Sequence, residues 1–169
     1  MATIEIKGLD DVIKKLSKVS DNAVEEVGRV AKINAQEIEA NAKRDAPKDK
    51  GKLGQSIITT EVEETLYSVG TREPYAPFVE FGTRSKVDVP KGFEDVAMAF
   101  KGKRINSGGY EEFKKWALRK GIPEQYVFAT WLKVLRVGQN PQPYLIPNFL
   151  KQKPQFIKDL KTLLKRLVK

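Results

Sequence analysis

The stretch DDVIKKLSKVSDNAVEEVGRVAKINAQEIEANAKRDAP, residues 10–47, decides the fold. Apolar or small residues recur at Val12, Leu16, Val19, Ala23, Val27, Val30, Ile33 or Asn34, Ile38 and Ala42. That three-to-four spacing draws one stripe along a helix. Asp10 suits its N-cap, and Pro47 stops it. At about 1.5 Å per residue such a helix is on the order of 50 Å long, more than a compact domain of this size requires. Ser20, Asp21 and Asn22 offer a place to break it in two. A long helix with a narrow stripe crosses a sheet or packs on a neighbouring subunit.

Upstream, Thr3 to Lys7 alternate as a short edge strand. Downstream, residues 46–56 read as a Pro/Gly/Lys loop, and residues 57–63 and 66–69 as a hairpin or meander with a turn at Gly70. Pro74 to Thr83 is a compact apolar and aromatic segment, in which Glu80 reads as the polar position of a half-buried strand between Val79 and Phe81. Gly82 lets the backbone turn sharply or pass close to another chain. Residues 84–109 are loop-like, with a helical turn or extended stretch from Phe93 to Phe100. Two short helices follow. The first, Tyr110 to Lys120, ends at Gly121; the second runs from Pro123 or Glu124 to about Arg136, with Val127, Phe128, Trp131, Leu132 and Leu135 on its apolar face. Gly138 closes it, and residues 139–147 form a proline-rich linker. A last helix, about 148–168, sets Phe156, Leu160, Leu163, Leu164 and Leu167 against a lysine-rich side. The expected class is α+β: a long N-terminal helix packed on a small antiparallel sheet, an inserted helical pair and a C-terminal amphipathic helix. One domain, 1–169, would carry residues 84–136 as a loop-plus-helical-pair insertion.

Composition narrows the chemistry. The 169 residues are 40% apolar and 31% charged, an ordinary globular balance. No apolar run approaches the roughly 20 residues of a membrane span, and charges stand where a signal peptide would have its apolar core. The reading is therefore against secretion and membrane insertion. The sequence contains neither cysteine nor histidine. Thiolate chemistry, imidazole general bases and the usual nitrogen and sulfur metal ligands are excluded. An enzyme is not expected, nor is a cofactor or a bound metal.

Three segments, taken together, carry a resemblance. They are Ala46-Pro47-Lys48-Asp49-Lys50-Gly51-Lys52-Leu53-Gly54-Gln55-Ser56-Ile57, Tyr75-Ala76-Pro77-Phe78-Val79-Glu80-Phe81-Gly82-Thr83, and Gly138-Gln139-Asn140-Pro141-Gln142-Pro143-Tyr144-Leu145-Ile146-Pro147. In this order and spacing the chain resembles the gene-product-ten-like family of the lambdoid phage HK-ninety-seven. Pro47, Gly51, Leu53, Ser56, Tyr75, Glu80, Phe81, Gly82, Thr83, Pro143 and Pro147 are its motif positions here. Lys48 and Lys50 stand where the family usually has Val and Thr, and Asn148 where it usually has Ala. The resemblance implies a structural part of a bacteriophage neck or tail, a head–tail joining or tail-completion protein located in the virion and assembled in the host bacterial cytoplasm. It implies a homo-oligomeric ring, six-fold or twelve-fold by analogy, with DNA passing through its lumen. The implied partners are a head-connector or head-closure protein and a tail-terminator or tail-tube protein.

Charge supplies candidate contact surfaces. The net charge is +9. Lys151, Lys153, Lys158, Lys161, Lys165, Arg166 and Lys169 stand against Asp159 alone, a net +6 in residues 151–169. With Arg84, Lys86, Lys101, Lys103 and Arg104 of the preceding loop, the basic residues Lys158, Lys161, Lys165 and Arg166 could meet lumenal DNA or an acidic ring. The alternative function is a nucleic-acid-binding module using that helix and loop. A metal-dependent nuclease would need Asp49, Glu61 and Glu63, or Glu80, Asp88 and Glu94, to converge. Trp116, Trp131, Phe113 and Phe128, at helical spacings, read as core packing before a base-stacking platform.

Overall fold

A computed structural model describes residues 2–5, 21–99 and 109–167. Asp10, Val12, Leu16, Val19, Phe100, Lys101, Lys103 and Arg104 lie outside the described residues. Two compact units divide the chain, one of Met1–Glu73 with Pro143–Lys169 and the other of Pro74–Gln142.

The first unit is built around α1, Asp21–Asp45, about 38 Å of helix at the usual rise. Small residues fill its buried side: Ala23, Val27, Gly28, Ala31, Ala35, Ile38 and Ala42 are all buried. Of the two sequence alternatives Asn34 is the buried one, and Ile33 is half exposed. Strands β1 (Ala2–Glu5), β2 (Ile58–Glu63) and β3 (Leu66–Thr71) form an antiparallel sheet in the order β1-β3-β2. Its register places Ile4 and Thr59 opposite Val69, with an irregularity between Glu61 and Glu63. The expected edge strand and hairpin are thus present. The hairpin turns at Glu64 and Thr65, whereas Gly70 lies within β3, paired with Thr3 and Ile58. Tyr67, Val69 and Thr71 alternate into the buried face. Helix α7, Ile146–Leu167, packs along α1 and buries Ile146, Asn148, Phe156 and Leu163.

At roughly 100° per residue, Gly28, Ala35 and Glu39 share one side of α1, whereas Glu26, Asn34 and Glu37 share another. Both sides are used. The Ala35 carbonyl accepts from Thr59 Oγ1 (3.4 Å), and Glu39 Oε2 accepts the Thr59 backbone N–H (2.6 Å), so one carboxylate takes an outward donor of edge strand β2. On the other side Asn34 Nδ2 donates to Asp159 Oδ2 and to the Val30 carbonyl (both 3.0 Å), and Asn34 Oδ1 accepts from Gln152 Nε2 (2.8 Å). Gln152 also reaches Glu37, and Arg166 pairs with Glu26 at 2.7 Å. Near the end of α1, Asn148 Nδ2 donates to Asp45 Oδ2 (2.9 Å) and to the Tyr144 carbonyl (2.7 Å). Helix α1 is a middle layer, between the sheet and α7.

The segment after α1, read as loop, contains the short helix α2, Lys52–Ser56. Gly51 starts it with φ 73°, and Leu53 is buried beneath it. The second unit holds α3 (Ala76–Phe81), α4 (Glu94–Met98), α5 (Tyr110–Arg119) and α6 (Glu124–Val137). Glu80 therefore lies on a helix, not a strand. Pro77 fits the first turn of α3, where its missing N–H costs nothing. Helices α5 and α6 pair through aromatic contacts, Phe113 to Trp131 (5.0 Å) and Tyr110 to Phe128 (5.7 Å), while Phe113 also meets Trp116 of its own helix (5.2 Å). Lys114 and Glu124 add an ion pair at 2.6 Å. The expected α6 stripe is only partly covered. Val127 is buried, Trp131 and Leu135 are half-buried, and Phe128 and Leu132 are exposed, as befits a helix with one principal packing partner.

The hairpin turn rests on Gly28: a Cβ there would lie 2.3 Å from the Glu64 carbonyl oxygen. Gly28→Ala gains helix propensity of about 1 kcal/mol, but backbone must move to admit the methyl group. A net loss of about 1–3 kcal/mol in urea melts is expected. Acid has its own effect. Burial acts to raise the Glu39 carboxyl, yet hydrogen bonds from Lys43 and Thr59 outweigh it and hold the group below its ordinary 4.5. The Asn148 amide likewise holds Asp45 below 3.8, with Arg44 and Lys151 assisting against desolvation. Both values are depressed by folding, so their stabilisation is full above the ordinary values and is lost as pH falls through the folded ones. The urea midpoint should drop between about pH 6 and about pH 3, and Glu39→Gln should start lower at neutral pH and lose less on acidification.

Candidate functional site

Two of the sequence motifs meet in the second unit. The Thr83 backbone N–H donates to the Gln139 carbonyl at 3.0 Å, and the Gln139 backbone N–H donates to Thr83 Oγ1 at 2.7 Å. The Gln142 N–H then donates to the Val79 carbonyl at 2.8 Å. Glycines permit the approach. Gly82 has φ 77°, and its Cβ would lie 2.8 Å from the carbonyl oxygens of Gln139 and Lys86. Gly138 has φ 96°, and its Cβ would lie 2.2 Å from the Thr83 carbonyl oxygen. The sharp turn expected at Gly82 is present, and the close approach there is to the Gly138-Gln139 segment of the same chain. Phe81, Thr83 and Glu80 are buried here, and Tyr75 stands at the N-cap of α3.

Arg84 and Ser85 are committed nearby. Arg84 Nη1 donates to the Arg136 carbonyl (3.2 Å) and Ser85 Oγ to the Val137 carbonyl (2.8 Å). They occupy the last acceptors of α6, where a guanidinium also suits the negative helix end. Arg84 reaches this position with a left-handed φ of 54°. Its side chain is a helix cap before it is a contact for nucleic acid. Lys86 is exposed on the short 3-10 turn Arg84–Lys86.

The first motif does structural work in the other unit. Ser56 Oγ donates to the Leu53 carbonyl (2.8 Å) and lies 2.6 Å from Thr71 Oγ1, which accepts the Glu73 N–H (3.1 Å). With the Thr71 hydroxyl donating to Ser56, the relay from Glu73 to Leu53 is satisfied throughout. Lys52 pairs with Glu73 at 3.2 Å. A groove of about 480 Å³ lies alongside, lined by Lys43, Ala46, Pro47, Lys48, Gly51, Gly54 and Gln55. It brings together no set of acids, bases and nucleophiles.

Helix α7 carries the free charge. Lys158, Lys161 and Lys165 are exposed and make no ion pair among the described residues, whereas Arg166 is engaged with Glu26. Pro147 is exposed in the first turn, and Pro143 is exposed before it. Among the described residues no group of three or more carboxylates could hold a metal ion, so Asp49, Glu61 and Glu63 do not converge, nor do Glu80, Asp88 and Glu94. No helix in the described residues is long and apolar enough to cross a membrane. Sequence reasoning missed Asn34, Gln139 and Asn148 as organising residues. Only the departure of Asn148 from the family's alanine hinted at one of them.

Residues 10–82 match the HK97-gp10-like family, described as "Bacteriophage HK97-gp10, putative tail-component". The matched region spans α1, the first motif, the hairpin and α3 up to Gly82; the third motif lies beyond it. No curated protein and no solved structure gives a significant match.

Thr83→Val removes the acceptor of a part-buried N–H and should cost about 1–3 kcal/mol. Gly138→Ala should cost at least as much, from its left-handed φ and backbone clash. Hydrogen exchange should show both losses at amides of residues 74–99 and 109–142, with α1 and α7 amides little changed.

Proposed function

From the match of residues 10–82 to phage tail components, we propose that the chain is a structural part of a bacteriophage neck or tail. It forms a ring that completes the tail and joins it to the head connector, with DNA passing through the lumen. The match is the observation that carries this reading, and the resemblance in the third motif extends it along the chain. Six-fold symmetry, or twelve-fold, suits the rings at that position. Residues 84–136 are then the loop-plus-helical-pair insertion of a single tail-completion domain, and the Thr83–Gln139 bonds flank it. Its partners are a head-closure protein on one side and a tail-terminator or tail-tube protein on the other. The chain performs no catalysis in this role, and its place is the virion.

A second reading rests on the exposed lysines of α7: contact with nucleic acid through phosphate charge. It predicts duplex retention that weakens steeply with salt, and no retention at about 50 mM salt removes it.

Light scattering and electron microscopy of the purified chain should give a closed ring, and immunogold labelling should place it at the head–tail junction. A chain that stays monomeric and is absent from purified virions overturns the proposal. Truncating α7 is a poor test, because Phe156 and Leu163 are buried; single charge changes on its exposed side leave the core intact.

A further inference from the structure

Two faces of the first unit are left uncovered by that unit's own described elements, and they are complementary. The first is the sheet face turned away from α1. Thr59 and Glu61 share the α1 side with Val69 and Tyr67, as their register and the bonds of Thr59 to α1 require. By the period of two, Ile58 and Thr60 lie on the other side, with Ser68 and Gly70 opposite them. Among the described residues of this unit, no helix is packed there. The hairpin, residues 58–71, carries Glu61, Glu63 and Glu64 and no basic residue, in a chain of net charge +9. Glu63 and Glu64 are exposed and make no ion pair among the described residues.

The second is the outer side of α7. Leu150, Pro154, Ile157 and Lys161 recur at helical spacing on the side opposite Phe156 and Leu163. Lys153, Lys158 and Lys165 border that stripe, all exposed. The α7 face thus has an apolar spine with basic residues beside it, and the hairpin bears exposed Ile58 and Val62 with exposed Glu63 and Glu64 beside them. Ile58 and Val62 on the hairpin, and Leu150 and Ile157 on α7, are each 42–52% exposed.

We propose that these faces bind each other between copies, the acidic hairpin of one copy seating on the basic outer side of α7 of the next. The occupant of each face is a second copy because one chain offers both the acidic and the basic partner, on outer layers separated by α1. A single copy cannot satisfy itself. Such an interface is heterologous, so each copy has one face used and one face open until a ring closes. The hairpin docks by its face and not by strand addition, since Glu39 already takes the Thr59 N–H of the edge strand. The inference deepens the ring reading and rests on it only for the identity of the partner.

The test uses the full chain. Variant one carries Glu63→Lys and Glu64→Lys; variant two carries Lys158→Glu and Lys161→Glu. None of these four side chains forms a hydrogen bond or ion pair among the described residues, and circular dichroism should match the wild type. Sedimentation should show each variant dissociating at concentrations about tenfold or more above the wild type. An equimolar mixture should reassemble, because each variant supplies the charge the other lacks, and added salt should weaken wild type and mixture alike. Variants with wild-type mass, or a mixture that stays dissociated, overturn the interface while leaving a ring by another surface. If variant two loses duplex DNA retention but keeps its mass, the lysines serve nucleic acid and the interface is overturned. Normal self-association by a chain absent from virions supports the interface and sinks the neck assignment alone. A wild type that is monomeric at all concentrations overturns both.

Discussion

A helix buried on two sides depends on how its polar groups are settled, and in this chain that problem concentrates at Asn34. Its side chain is 1% exposed. An amide has two N–H donors and an acceptor oxygen, and leaving one unmet in a dry layer costs about 1–3 kcal/mol. Here Val30, Asp159 and Gln152 meet them all. The consequence is register. Sliding α7 by one turn, about 5.4 Å, would preserve much of the apolar contact but separate Asn34 from both α7 partners. Leucines alone would tolerate the slip better. Asn148 repeats the device at the other end, fixing the start of α7 to the end of α1 through Asp45.

The other side of α1 obeys a different constraint, thickness. Gly28, Ala31 and Ala35 keep the helix thin where the hairpin crosses, and Gly28 lets a carbonyl come closer than any side chain allows. Bulk on the α7 side is supplied instead by Phe156 and Leu163. The division of small and large residues between layers is what lets a short chain stack three of them.

Much of this was legible in the residue pattern. The stripe of α1, the hairpin and the amphipathic α7 each run long enough for their period to emerge. What escaped was short or polar. Six residues of α3, apolar on nearly every side, display no period at all, and alternation around Glu80 imitated a strand. Residues 46–56 looked like a loop because Pro, Gly and Lys dominate; only the left-handed Gly51 reveals where a helix of five residues begins. Buried Asn34 sat beside Ile33 in the stripe, and hydropathy alone favours the wrong neighbour. The partners that decide the matter lie 118 and 125 residues away, beyond any local pattern. The charged faces were visible as composition, but that Arg84 and Arg166 are already engaged, and Lys158 and Lys161 are not, is a matter of tertiary placement.

The bonds between Thr83 and Gln139 join residues 56 positions apart. Whatever lies between leaves and returns through one fixed gate. Closing a flexible excursion costs free energy only as the logarithm of its length, about 0.6 kcal/mol per doubling. The interval from Arg84 to Gly138 is therefore the part of the chain where length is cheapest to vary. A reporter or affinity sequence placed within it, away from the aromatic helix pair, would be carried by the gate and not by the layered core. The same latitude would be open to natural variation, one gate serving excursions of many sizes.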